Sequence, residues 1–188
     1  AVGFQAAVAL TTGIQNVIIG ADAGDALTDA DDNTAIGYLS LSTDTLGSKS
    51  TAIGARALGT QNQTTATDTY NTGVGYSAGL SVTTGVQNTL IGGDAGDAIT
   101  TGGINVAVGY NALGLDTVGS KSAAVGAYAL ATQNPATATD MLNTGIGYNA
   151  GGVITTGLRN TIIGGLAGDS LTDADDNVAV GTFALTAD

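Results

Sequence analysis

The residues with the most evident chemistry are carboxylates. Two loops, Leu27-Thr28-Asp29-Ala30-Asp31-Asp32-Asn33 and Leu171-Thr172-Asp173-Ala174-Asp175-Asp176-Asn177, gather acids beside an Asn, with Asp22 and Asp25, or Asp169, nearby. Calcium takes several oxygen ligands, and Asp with Asn supplies such oxygens, so Asp29, Asp31, Asp32, Asp173, Asp175 and Asp176 are the candidate metal ligands. Neither loop has the ligand spacing of a known calcium loop, and the corresponding stretch between them, Thr100-Thr101-Gly102-Gly103-Ile104-Asn105, carries no acid. The favoured expectation is a solvated turn without metal.

Other chemistries are narrowed by composition. The chain has no His and no Cys, which removes imidazole acid–base catalysis, thiol nucleophiles, disulfides and zinc sites together. Ser and Asp are plentiful, but no His or placed Lys stands by to activate a nucleophile. Gly73-Val74-Gly75 and Gly145-Ile146-Gly147 look like pieces of a phosphate loop, yet lack the third glycine and the helix that such a loop needs. Asn62-Gln63-Thr64 fits a glycosylation acceptor, a pattern common by chance. The expectation is a chain that is not an enzyme and has no cofactor. Its formal charge of −12 sets sixteen Asp and no Glu against only Lys49, Arg56, Lys121 and Arg159. With no basic patch and few aromatics, nucleic acid is not an expected partner, and neither is an anionic membrane. No apolar run is long enough to span a bilayer as a helix.

What must position these residues is a repeat. Gly3, Gly20, Gly37, Gly54, Gly75, Gly92, Gly109, Gly126, Gly147, Gly164 and Gly181 each follow an Ile or Val, at spacings of 17, 17, 17 and 21 residues that then recur. A unit of 17 is thus nested in a super-repeat of 72, with blocks of approximately 1–71, 72–143 and 144–188 in one array over 1–188. Self-similarity of this period signals a solenoid, each unit being one coil that buries its apolar side only against its neighbours. Thirty glycines, abundant Thr and Asn, and no Glu favour strands and turns over helices. The chain starts and stops inside a unit, so it is read as a segment of a longer array.

Within a coil, the residue before the marker glycine (Val2, Ile19, Ile36, Ile53, Val74, Ile91, Val108, Val125, Ile146, Ile163, Val180) and the Ala three after it (Ser40 once) are expected to share the interior face of a strand. The residue after the glycine alternates large and small, Tyr38, Ala55, Tyr76, Gly93, Tyr110, as rings stacked one layer apart require. The glycines themselves (Gly20, Gly37, Gly54, Gly75, Gly92, Gly109, Gly126, Gly147, Gly164) are expected on the opposite, closely packed face, against other copies of the chain with three around an axis. The Asn or Ser four before each glycine is placed at the corner, able to bond up and down the stack. The four extra residues of each long coil fall within the polar stretches Gly59 to Tyr70 and Ala131 to Leu142, and are expected to leave the rod sideways, with Pro135 at an exposed turn.

Asn88-Thr89-Leu90-Ile91-Gly92, Asn33-Thr34-Ala35-Ile36-Gly37-Tyr38 and Ser122-Ala123-Ala124-Val125-Gly126 resemble the repeats of trimeric autotransporter adhesin heads, and more closely those of bacteriophage tail-fibre shafts. The resemblance covers the whole chain. It implies an all-β left-handed parallel β-roll, a β-solenoid of about eleven coils, with three chains side by side in a stiff fibre on a virion or outside a cell. The partners it implies are two further copies of the chain, other fibre or particle proteins at both ends, and a host-surface glycan or receptor. The coil length of 17 or 21, longer than the adhesin repeat, puts the tail-fibre shaft ahead of a bacterial surface adhesin. A further alternative is a flat ice- or glycan-binding face, for which Thr34, Thr51, Thr72 and Thr89 form a partial rank. Val17, Val106 and Val178 interrupt that rank, and the expected register points it inward.

Overall fold

A computed structural model describes residues 1–186. Among them there is no helix, and ten three-residue strands stack in chain order into one parallel sheet: Val17–Ile19, Thr34–Ile36, Thr51–Ile53, Thr72–Val74, Thr89–Ile91, Val106–Val108, Ala123–Val125, Thr144–Ile146, Thr161–Ile163 and Val178–Val180. A bridge from Val2 to Ile19 adds one level more. Each strand meets its equivalent one coil on, Thr34 opposite Thr51 and Thr89 opposite Val106, so the register is that of the repeat. Two short parallel pairs, Gly47–Ser48 with Thr67–Asp68 and Gly119–Ser120 with Thr139–Asp140, adjoin the long coils. The chain is an all-β parallel solenoid.

The faces of the strand are exchanged relative to the sequence expectation. Each strand buries its middle residue and turns both ends outward, so the interior column is Ile18, Ala35, Ala52, Gly73, Leu90, Ala107, Ala124, Gly145, Ile162 and Ala179. The residues expected in the coil core lie outside it: Ile19, Ile53, Ile91, Val125, Ile146, Ile163 and Val180 are exposed, and Ile36, Val74 and Val108 half-buried. Side chains alternate with period two, so an error of one residue swaps the whole set. It arose from carrying the alternation across the marker glycine to the Ala beyond. The glycine has a φ of +128° to +142° in every coil. The strand ends there, and the buried Ala23, Ala57, Ala95 and their equivalents are reached only after a turn.

Close packing then explains the super-repeat. Where the interior strand residue is Ile18, Leu90 or Ile162, the residue four after the marker is Gly24, Gly96 or Gly168; where it is Ala35, Ala52, Ala107 or Ala124, that residue is Leu41, Leu58, Leu113 or Leu130. A Cβ on Gly96 would stand 2.7 Å from Leu90 Cδ2, and one on Gly73 would stand 2.9 Å from Leu58 Cγ. Large and small trade places across a narrow interior, and where both positions are glycine, as at Gly73 and Gly79, leucines of the neighbouring coils (Leu58 and Leu90) fill the space.

The Asn column is buried and works as a second ladder. Asn88 Nδ2 donates to the Gly102 carbonyl at 3.0 Å, while Asn88 Oδ1 accepts the Asn105 N–H at 3.0 Å and Asn88 N–H reaches Asn71 Oδ1 at 2.9 Å. The expected hydrogen bonding along the stack is therefore present, but the corner is one residue earlier, where Asp32, Lys49, Gln87 and Ile104 hold left-handed φ values of 58° to 62°. Asn88→Ala leaves the Asn105 N–H and the Gly102 carbonyl without partners in a dry interior. It is expected to cost about 2–4 kcal/mol, read as a lowered midpoint in urea unfolding.

The extra residues enter where the sequence places them, but not all leave the rod. Ser42 Oγ bonds the Gly59 carbonyl 17 residues on, whereas Thr69 N–H bonds the Ser48 carbonyl 21 residues back, which brackets the insertion. Thr64, Thr65 and Ala66 are exposed, as are Ala136, Thr137 and Ala138. Gln63 and Pro135 are buried, which corrects the exposed turn expected at Pro135. The reason is polar. Asp44 faces inward where other coils have Leu27 or Ile99, and it accepts from Gly47 N–H, Gln61 Nε2 and Gln63 N–H. Gln61 Oε1 in turn accepts from Asn71, while Gln61 Nε2 reaches Ser50 Oγ, filling the gap left where Ser replaces Asn in the ladder.

Candidate functional site

With its middle residue buried, each strand presents its first and third residues to solvent. Down the rod these make two parallel columns: Thr34, Thr51, Thr72, Thr89, Thr144 and Thr161, with Val17, Val106, Ala123 and Val178 between; and the Ile/Val column that precedes the glycines. Thr and β-branched apolar residues suit a pleated surface, so the same composition that makes the strands makes the face. It is continuous over the ten strands and unpartnered in the single chain.

The marker glycines border this face without forming it. A Cβ on Gly20 would meet the Gly37 carbonyl oxygen at 2.5 Å, and one on Gly92 would meet the Gly109 oxygen at 2.5 Å. The missing side chains point along the rod at the next coil. The expected close packing at Gly20, Gly37, Gly54, Gly75, Gly92, Gly109, Gly126, Gly147 and Gly164 is therefore coil on coil within one chain, and a neighbouring copy is not needed to account for it.

Beyond the glycines stands an aromatic column. Tyr38, Tyr76, Tyr110 and Tyr148 are 51–59% exposed, and the Tyr110 ring lies over Gly93, whose Cβ position is 3.6 Å from Tyr110 Cδ2. The expected leaning of large over small is seen, on the outside of the coil instead of the inside. Tyr128 adds edge-on contacts to Tyr110 at 5.4 Å and Tyr148 at 6.1 Å between centroids.

The acidic loops have structural work. Asp31 Oδ1 accepts the Ile14 N–H and Asp175 Oδ1 the Leu158 N–H, both at 2.7 Å, and Asp29 Oδ1 accepts from Thr12 Oγ1 at 2.5 Å. Asp176 pairs with Arg159 at 2.6 Å, and Thr172 Oγ1 donates to Asp173 at 3.3 Å. Asp32 is an exposed corner residue with φ 58°. Among the described residues no three acids converge as a metal site requires. The expected result of adding chelator is an unchanged melting temperature. A drop that Asp31→Asn with Asp175→Asn abolishes would restore the calcium reading.

Asp25 and Asp97 are a different case. One oxygen of each is buried without a partner. Burial, with the like charge of Asp22 or Asp94 nearby, pushes both carboxyls above the ordinary 3.8. A carboxyl whose folded pKa is raised opposes folding once pH exceeds that value, and its cost vanishes as pH falls to the unfolded value of 3.8. Asp25→Asn with Asp97→Asn is therefore expected to melt higher than the parent at pH 7, with the gap closing near pH 3.8 in thermal scans followed by circular dichroism.

No known protein-family model matches this chain, and searches of curated proteins and of solved structures find no significant match. The exposed strand face was missed in the sequence because the Ile/Val column read as core. The signal that would have found it is the paired exchange of Ile18 with Gly24 and Ala35 with Leu41, which marks the strand's middle residue as interior.

Proposed function

We propose that the chain is the shaft of a homotrimeric fibre, of the bacteriophage tail-fibre kind, that holds a host-binding element away from the particle. The observation that carries this is the outward Thr/Val and Ile/Val face. An exposed column of Ile and Val running the length of the rod is the kind of apolar surface that marks an interaction face, and three copies around one axis would cover it with the same face on each. The backbone supports the role: each coil bonds the next, and eleven levels at about 4.8 Å give a rod of roughly 50 Å. The partners are then two further copies, with other fibre proteins at the ends and a host glycan or receptor beyond, on a virion or outside a cell. A bacterial surface adhesin uses the same construction. A second reading, an ice- or glycan-binding face, gains support because the Thr rank points outward and not inward. It competes for the same surface, so sedimentation decides first: a stable monomer showing thermal hysteresis supports it, and a trimer without hysteresis supports the shaft.

A further inference from the structure

One break in the internal symmetry of the chain coincides with a cavity, among several elsewhere. Around it the interior residues 72 apart are the same: Leu41 and Leu113, Asp44 and Asp116, Leu58 and Leu130, Gln61 and Gln133. On the surface of the first super-repeat, Leu39, Arg56 and Leu80 line a groove of about 170 Å³ over Gly59, with Ser42, Thr43 and Thr60 completing it. Their counterparts in the second are Asn111, Tyr128 and Gly152, with neither the cation nor the two leucine walls. The lining residues follow the marker glycine by two, five and six positions, so none belongs to the strand face.

Arg56 is also exceptional in its pairing. Lys49 and Lys121 each meet an Asp within 2.6 Å, and Arg159 meets Asp176 at 2.6 Å. Among the described residues Arg56 has no ion pair, in a chain of charge −12, so its guanidinium is left with donors and no charged acceptor. The hydroxyls of the groove have the opposite requirement. Thr60 Oγ1 already donates to the Leu80 carbonyl at 2.6 Å, and Ser42 Oγ to the Gly59 carbonyl at 3.2 Å. With their protons committed, both oxygens face a ligand as acceptors. The fitting ligand therefore carries a planar anionic acceptor for the guanidinium fork, hydroxyl donors for Ser42 and Thr60, and an aliphatic ring face for Leu39 and Leu80. We infer that this groove binds a carboxylated sugar of monosaccharide size. The inference stands apart from the trimer, because no groove residue lies on the face proposed to assemble.

The test is ligand-observed saturation-transfer NMR on the full chain, titrated with glucuronate, with glucose and with inorganic phosphate. Glucuronate is expected to bind with a Kd on the order of 1 mM, as one charge-assisted fork on a shallow site allows. Glucose and phosphate are expected at least about tenfold weaker, since each lacks one half of the required chemistry. Arg56→Gln is expected to weaken glucuronate about tenfold or more with an unchanged melting temperature, while Arg56→Lys recovers it only in part. An oligosaccharide ending in glucuronate that binds more tightly than the monosaccharide identifies a glycan terminus as the source; equal binding identifies the free sugar acid. Undiminished binding by Arg56→Gln, or phosphate binding as well as glucuronate, overturns the assignment.

Discussion

Gly92→Ala is expected to destabilise the rod by on the order of 4 kcal/mol or more. Two costs add. The backbone there has φ +134°, a region that L side chains rarely enter, worth about 1–3 kcal/mol of strain. The new Cβ would also lie 2.5 Å from the Gly109 carbonyl oxygen, and the coil above cannot withdraw without breaking its own bonds to the next. For a chain of this length the melting temperature should fall by roughly 10 °C. Gly165→Ala is the control: a Cβ there meets nothing within 4 Å, and the change should stay within about 0.5 kcal/mol. If both variants melt alike, the coil-on-coil contact is not what the glycine column serves.

The second large effect is on assembly and not on folding. Ile53→Asp with Ile91→Asp places two carboxylates on the exposed strand face, at positions 37% and 39% accessible in the single chain. Around a threefold axis each acid would face two copies of itself in a dry interface, where like-charge juxtaposition costs several kcal/mol. The double variant is expected to sediment as a monomer while its far-ultraviolet circular dichroism keeps the parental strand signal. Thr64→Asp, on the exposed excursion of the long coil, should leave assembly unchanged. Loss of strand signal together with assembly would instead place these side chains in the coil's own core.

The contrast between these variants shows what a sequence of this kind discloses. Coil number, strand position and the parallel stack follow from the spacing of the glycines, because a fixed period leaves a chain few ways to bury its backbone. That the four extra residues fall between Gly59 and Tyr70 was legible for the same reason. Which strand face points inward was not, since Thr34-Ala35-Ile36 has a small residue flanked by larger ones, and hydrophobicity alone assigns Ile36 to the core. The deciding fact is volume. The strand's middle residue and the residue four after the glycine cannot both be large, as the exchange between Leu90-with-Gly96 and Ala107-with-Leu113 across neighbouring coils shows. The buried Asp44 and Asp116 were equally hidden, because an acid inside so thin a coil makes sense only with Gln61 and Gln133 from the adjacent layer. The groove at Arg56 was not foreseen, since its walls come from three successive coils.

Sedimentation equilibrium of the chain gives the most direct test that the Thr/Val and Ile/Val face is an assembly surface. One chain has a mass of 18.2 kDa, so the threefold fibre predicts 3 × 18.2 = 54.6 kDa, independent of loading concentration. A single species of 18.2 kDa that remains soluble with this face bare would contradict it.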